Sequence, residues 1–295
     1  MTAPLIDRVA GSNFGYQHLP LERCFDDLAG LGRTAVELWG IAPHAHVPWL
    51  DDAAARSIRA AAAARGLQVV CFTPEQVAYP VNLASPDPRL RAESLAMFRR
   101  AAELAIELGS DLLFLTSGRG GEDEPRASGW SRAVDGLGEV TGYAAELGLT
   151  CVLEPLQRVE SNLVTTAADA RRMLDDVAAP NLGVVLDTVA AAVAGDTVED
   201  YFSLFGEHVR HVHLIDGAPA GHLAWGDGEL SLAEIVAALE NHGYAGHATV
   251  ELFGDGRYAQ DPRSALERSL AAIERAGTTA AGPAPGHRAP ASRPT

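Results

Sequence analysis

One alternation constrains the fold of this chain more than any other feature. Eight short apolar runs are each followed by a longer Ala/Leu/Arg/Glu-rich stretch of helical period. The runs lie at 9–14, 35–38, 67–72, 111–116, 149–154, 182–187, 209–215 and 247–252. They are short, predominantly apolar and rich in β-branched residues, as strands covered on both faces are. Helix starts are signalled where Asp87 precedes Pro88, where Asp261 precedes Pro262 and where Thr166 leads into an Ala/Asp/Arg stretch. Gly32, Gly66, Gly109, Gly148 and Gly243 stand where helices should stop before the next strand. A strand–helix alternation of this count predicts an α/β fold, a single (β/α)8 TIM barrel over residues 1–277. Residues 278–295 are low in complexity and rich in Ala and Pro, so a disordered tail is expected there.

Composition narrows the function classes. The formal net charge of −16 opposes binding to nucleic-acid backbones and to anionic membranes, which recruit Lys and Arg. No apolar run approaches the roughly 20 residues that cross a bilayer, and the first residues show no signal-peptide pattern. The three cysteines, Cys24, Cys71 and Cys151, are far apart and form no C-x-x-C, so no disulfide framework is expected and a cytoplasmic location is.

Barrel enzymes build their sites at the C-terminal ends of the strands. The fifth run ends in Glu154, the sixth in Asp187, the seventh carries His213, and the eighth delivers Glu251. A single charged residue after an apolar strand is commonly just a solvated strand end. Four on successive strands form a hard, oxygen-rich set with one imidazole, suited to one divalent ion: Mn2+ first, with Mg2+, Co2+ or Ni2+ as alternatives. In the pair His211 and His213, His213 is expected to face the barrel interior and His211 the helix layer.

The motifs LEP (153–155), LD (186–187), HVHLID (211–216), GDG (226–228) followed by Leu230, and VEL (250–252) resemble the xylose-isomerase-like sugar phosphate isomerase/epimerase superfamily over nearly the whole chain. The stretches ELWGIAPHA (37–45), FTPEQVAYPVN (72–82) and LEPLQRVESN (153–162) resemble its fructoselysine 3-epimerase branch. The resemblance implies a small-molecule sugar substrate and a metal held by Glu154, Asp187, His213 and Glu251. It gives Glu154 and Glu251 a second role as the acid/base pair of C3 epimerisation. It also implies substrate contacts from Glu160 and, where many ketose epimerases carry an arginine, from His222. Trp39, His44, Glu75, Gln17 and Tyr79, near the ends of the first strands, are further candidates, each equally readable as packing or as a solvated loop residue. Relatives commonly form homodimers or homotetramers.

One departure bears on substrate. Simple ketose 3-epimerases carry a sugar-binding histidine three residues after the sixth-strand aspartate, and this chain has Ala190 there. A wall of alanines would leave room for a larger substituent on the sugar. Three rival readings remain. A lyase or dehydratase on the same scaffold would begin with the same proton abstraction, as in C-glycoside deglycosidases and inosose or dehydroshikimate dehydratases. An endonuclease-IV-like barrel would need more metal-site histidines and a less acidic surface. A non-catalytic sugar-binding barrel would not need the four-residue metal set.

Overall fold

Apolar runs too short for a helix form the strands, and each following amphipathic stretch turns back as a helix that covers them. The computed structural model describes residues 3–76, 80–253 and 256–280. Eight parallel strands, β1 (Val9–Ser12), β2 (Ala35–Gly40), β3 (Gln68–Pro74), β4 (Leu112–Thr116), β5 (Thr150–Glu154), β6 (Leu182–Asp187), β7 (Val209–His213) and β8 (Ala248–Val250), pair in sequence order. β8 pairs with β1, so the sheet closes. The outer ring comprises α1 (Leu21–Gly30), α2 (Asp52–Ala63), α3 (Pro88–Leu108), α4 (Arg126–Glu146), α5 (Ala167–Val177), α6 (Thr188–Ala194), α7 (Val198–Phe205), α8 (Leu232–Asn241) and α9 (Pro262–Ala280). The predicted barrel is the observed one.

Local chemistry sets the helix boundaries. Asp87 accepts from the Arg89 N–H, Asp261 from Ser264 N–H and Thr166 from Asp169 N–H, capping α3, α9 and α5 at the expected positions. Gly109 ends α3 with φ 77°, a left-handed conformation that costs glycine little. Several boundaries differ from expectation. β1 stops at Ser12 and β8 at Val250, which leaves Glu251 just beyond its strand. The segment after β6 holds two helices, because Gly195 (φ 81°) ends α6 after seven residues. α9 continues to Ala280, and residues 281–295 lie outside the described residues.

The period of two along each strand builds the interior in layers. Cys71, Phe114, Val152 and Val185 pack together inside the barrel. Two residues further along β5 and β6 come Glu154 and Asp187, on the same face and one layer nearer the C-terminal mouth. Cys24, Cys71 and Cys151 are buried and free. Among the described residues, no helix is long and apolar enough to cross a membrane.

Candidate active site

Four side chains from consecutive strands meet at the mouth. His213 Nδ1 stands 2.9 Å from Glu154 Oε1, 3.6 Å from Asp187 Oδ2 and 3.6 Å from Glu251 Oε2. All four side chains are at least nine-tenths buried. Glu154 Oε1, Asp187 Oδ2, His213 Nδ1 and Glu251 Oε1 nevertheless make no hydrogen bond. Buried polar atoms are normally satisfied, and an orphan costs about 1–3 kcal/mol. Orphaned acceptors this close together could hold a cation, and the donor set, three carboxylates and one imidazole, fits a hard divalent ion.

The local structure explains which atoms are left over. Asp187 caps α6: its Oδ1 accepts from the N–H groups of Val189 (2.8 Å) and Ala190 (2.6 Å), which leaves Oδ2 for the site. His213 Nε2 lies 3.2 Å from each oxygen of Glu37. A carboxylate only accepts, so Nε2 carries a proton, and Nδ1, the nitrogen that faces the other three residues, is the one whose lone pair a cation would take in exchange for its proton. Phe114 stacks on the His213 ring, with centroids 5.3 Å apart and planes 9° from parallel.

His211 corrects the sequence expectation. It faces the interior beside His213, with Nε2 2.7 Å from Glu37 Oε2 and 3.2 Å from Thr249 Oγ1. Residues two apart on a strand share a face, so the pair could not split between barrel and helix layer.

Charge crowding sets the electrostatics. Burial pushes the Glu154 carboxyl up to about 8, against the opposing pull of the His213 ring. Burial also acts to raise Asp187, but the neighbouring His213 and His222 imidazoles outweigh it and hold that carboxyl below its usual range. Burial disfavours the charged form of His213, yet Glu251, Glu37 and Glu154 together raise it well above an ordinary histidine. His222 follows the same logic. It is raised despite burial, chiefly by Glu251, whose Oε2 stands 2.8 Å from His222 Nδ1. His222 also lies within reach of both Asp187 and Glu251 as a candidate metal donor, a second imidazole at the rim.

Beside this cluster opens a cavity of about 190 Å3. Glu154, Asp187 and Glu251 line it, and so do Trp39, Glu75, Glu160, His222 and Ala190. Its walls include Phe14, Phe114, Leu156 and Phe253. Trp39 Nε1 is buried without a partner, and the indole meets Phe14 edge-on at 4.7 Å. Glu160 accepts from the Gln157 N–H through Oε2, and burial raises its carboxyl. His44 is not among the lining residues. Its ring lies 2.7 Å from the Leu19 carbonyl and 3.1 Å from Asn13 Nδ2, tying the loops after β1 and β2 together. Gln17 lines a neighbouring cavity of about 580 Å3, which shares Phe14, Glu75 and Phe253 with the first. Tyr79 lies outside the described residues. Sequence reasoning overlooked Glu37, an acid inside an apolar strand, and the aromatic walls Phe14, Phe114 and Phe253.

Known proteins agree with this architecture. The family described as "Xylose isomerase-like TIM barrel" matches residues 25–276. A fructoselysine 3-epimerase of Shigella flexneri is 34% identical over 265 residues, spanning 88% of this chain and 95% of that protein. A D-psicose 3-epimerase of Agrobacterium fabrum is 27% identical over 234 residues, spanning 77% of this chain and 78% of its own. The solved D-psicose 3-epimerase of Clostridium cellulolyticum H10 shares the fold, with a TM-score of 0.76 at 21% identity, over 91% of this chain and 98% of that one. A closed barrel of eight parallel strands, a family match over most of its length and a 34% identical relative covered almost end to end place this chain in the xylose isomerase-like TIM barrel family.

Proposed function

We propose that this chain is a divalent-metal-dependent sugar epimerase that inverts C3 of a ketose or a ketosamine of the fructoselysine type. The observation that carries the reading is the convergence of four orphaned, buried donor atoms beside a cavity of sugar size. Glu154, Asp187, His213 and Glu251 would hold the ion. When bound, a divalent cation supplies electrophilic stabilisation of the charge that develops on the substrate's oxygens as the carbon α to its carbonyl is deprotonated.

The protein's own groups move the proton. Glu154 and Glu251 both line the cavity, and two strands separate β5 from β8, so the carboxyls enter from different sides. One, as carboxylate, takes the C3 proton. The other, as carboxylic acid, delivers a proton to the opposite face, and the centre is inverted with one proton lost and one gained. His222, raised by Glu251, presents a donor to sugar oxygens, and Glu160 an acceptor to hydroxyls. The aromatic walls exclude water from the carbanion-like carbon. Ala190, small and lining the cavity, leaves the space that a histidine would fill, which supports a substrate with a substituent beyond a free ketose. The 34% identical fructoselysine 3-epimerase supports the same direction.

A substrate panel in D2O with Mn2+, covering ketohexoses, ketosamines and 3-oxo-glycosides, tests the reading. Deuterium entering one carbon of a recovered, epimerised sugar is the expected result. Release of water or of an aglycone would replace it with an elimination.

A further inference from the structure

We infer that Glu37 is a positioning residue that sets the tautomer and aim of His213, and through them the strength of metal binding; the inference rests on the metal reading proposed above. Glu37 is fully buried inside the barrel and is not among the cavity-lining residues, so its route to the reaction runs through the groups it touches. It reaches from β2 to β7, strands that share no backbone ladder. Its carboxylate is itself tightly placed. Thr73 Oγ1 donates to Oε1 at 2.6 Å, and His211 Nε2 stands 2.7 Å from Oε2. The His213 N–H then bridges both oxygens at 3.2 Å.

This arrangement settles a choice that a lone histidine leaves open. An imidazole offers its lone pair from either nitrogen, and only Nδ1 of His213 faces Glu154, Asp187 and Glu251. A carboxylate at Nε2 forbids the tautomer with the lone pair there, and a ring hydrogen-bonded on one side and stacked on Phe114 cannot swing away. His211 helps because it holds the carboxylate in place while leaving both oxygens within reach of His213. A neutral amide could not do this. A glutamine side chain at the same place would offer one accepting oxygen to two histidine N–H groups and turn an NH2 toward one of them.

The test is Mn2+ affinity of E37Q, read from the electron paramagnetic resonance signal of free Mn2+, together with 15N shifts of the histidine rings in the protein loaded with diamagnetic Mg2+. E37Q is expected to bind Mn2+ about 10- to 100-fold more weakly than the unaltered chain. Its far-UV circular dichroism should be unchanged, and the His213 signals should leave the Nε2–H pattern. Wild-type affinity in a folded E37Q would overturn the inference. Should E37Q not fold, T73V removes one donor to Glu37 at nearly constant volume. A several-fold loss of affinity is then expected, and an unchanged affinity overturns the proposal. Failure of the unaltered protein to bind Mn2+ at all would instead refute the metal reading itself.

Discussion

His222 and Glu251 face each other at the rim of the cavity, Nδ1 to Oε2 at 2.8 Å, with the His222 ring stacked on Phe253 at 3.9 Å between centroids. The contact joins a residue placed by a loop to one placed by a strand end. It leaves two roles for His222: a substrate donor, or a second imidazole for the ion. H222Q separates them. As a substrate donor, a charged hydrogen bond worth about 1.5–3 kcal/mol is lost, so kcat/KM should fall roughly ten- to hundred-fold. Mn2+ affinity should stay close to that of the unaltered chain. A collapse of Mn2+ affinity would move His222 into the ligand set.

Glu154 and Glu251 are expected to differ from Asp187 in what their amides abolish. E154Q and E251Q should each lower solvent proton exchange into the sugar by about 10²- to 10⁴-fold, the usual worth of a positioned acid or base. That loss should persist under saturating Mn2+. Deuterium uptake measured by mass spectrometry checks this, and full exchange in both variants would remove the pair from the mechanism.

The barrel was legible because strands buried on both faces are written as predominantly apolar runs, and the acids at 154, 187 and 251 stand out where those runs end. The interior network was not. Glu37 sits inside AVELWG, where nothing in the local pattern says that an acid will meet two histidines from β7 across the barrel. The HVH spacing carried information that the expectation of split rings contradicts: residues two apart share a face, so an inward His213 requires an inward His211. The loop residues were hardest. Glu160 and His222 reach the cavity while His44 ties loops together, and no periodicity distinguishes these fates.

Asp187 combines two functions that substitution can separate. One oxygen caps α6 and the other faces the site. Asn also caps helices well, so D187N should keep the stability of the ion-free protein while losing Mn2+ affinity. D187A loses the cap too and should be less stable than D187N by about 0.5–2 kcal/mol. Thermal unfolding of the two variants without added ion gives the comparison. Equal melting temperatures would mean that the cap contributes nothing.

Ala190 tests the substrate. It lines the cavity beside Asp187, and an imidazole there would project into the space left for a substituent. A190H should cut turnover of a ketosamine by more than about tenfold, the scale set by steric exclusion from a tight pocket. A small free ketose should be affected less. A190H with the substrate range and rates of the unaltered chain would show that this wall does not set specificity.

Removing the ion should change stability as well as turnover. Three buried carboxylates around one imidazole repel each other, and Glu154, raised to about 8 by burial, shows how strongly the site resists carrying its full charge. A cation that binds only the folded chain offsets that repulsion, and at a free concentration about 100 times its Kd it adds roughly 2.7 kcal/mol. Chelation should therefore abolish turnover and lower the Tm together, and Mn2+ should restore both in the same concentration range. D187N should lose most of the Mn2+-dependent rise in Tm. A melting temperature indifferent to Mn2+ in a protein that still turns over sugar would place the required ion, if any, away from Glu154, Asp187, His213 and Glu251.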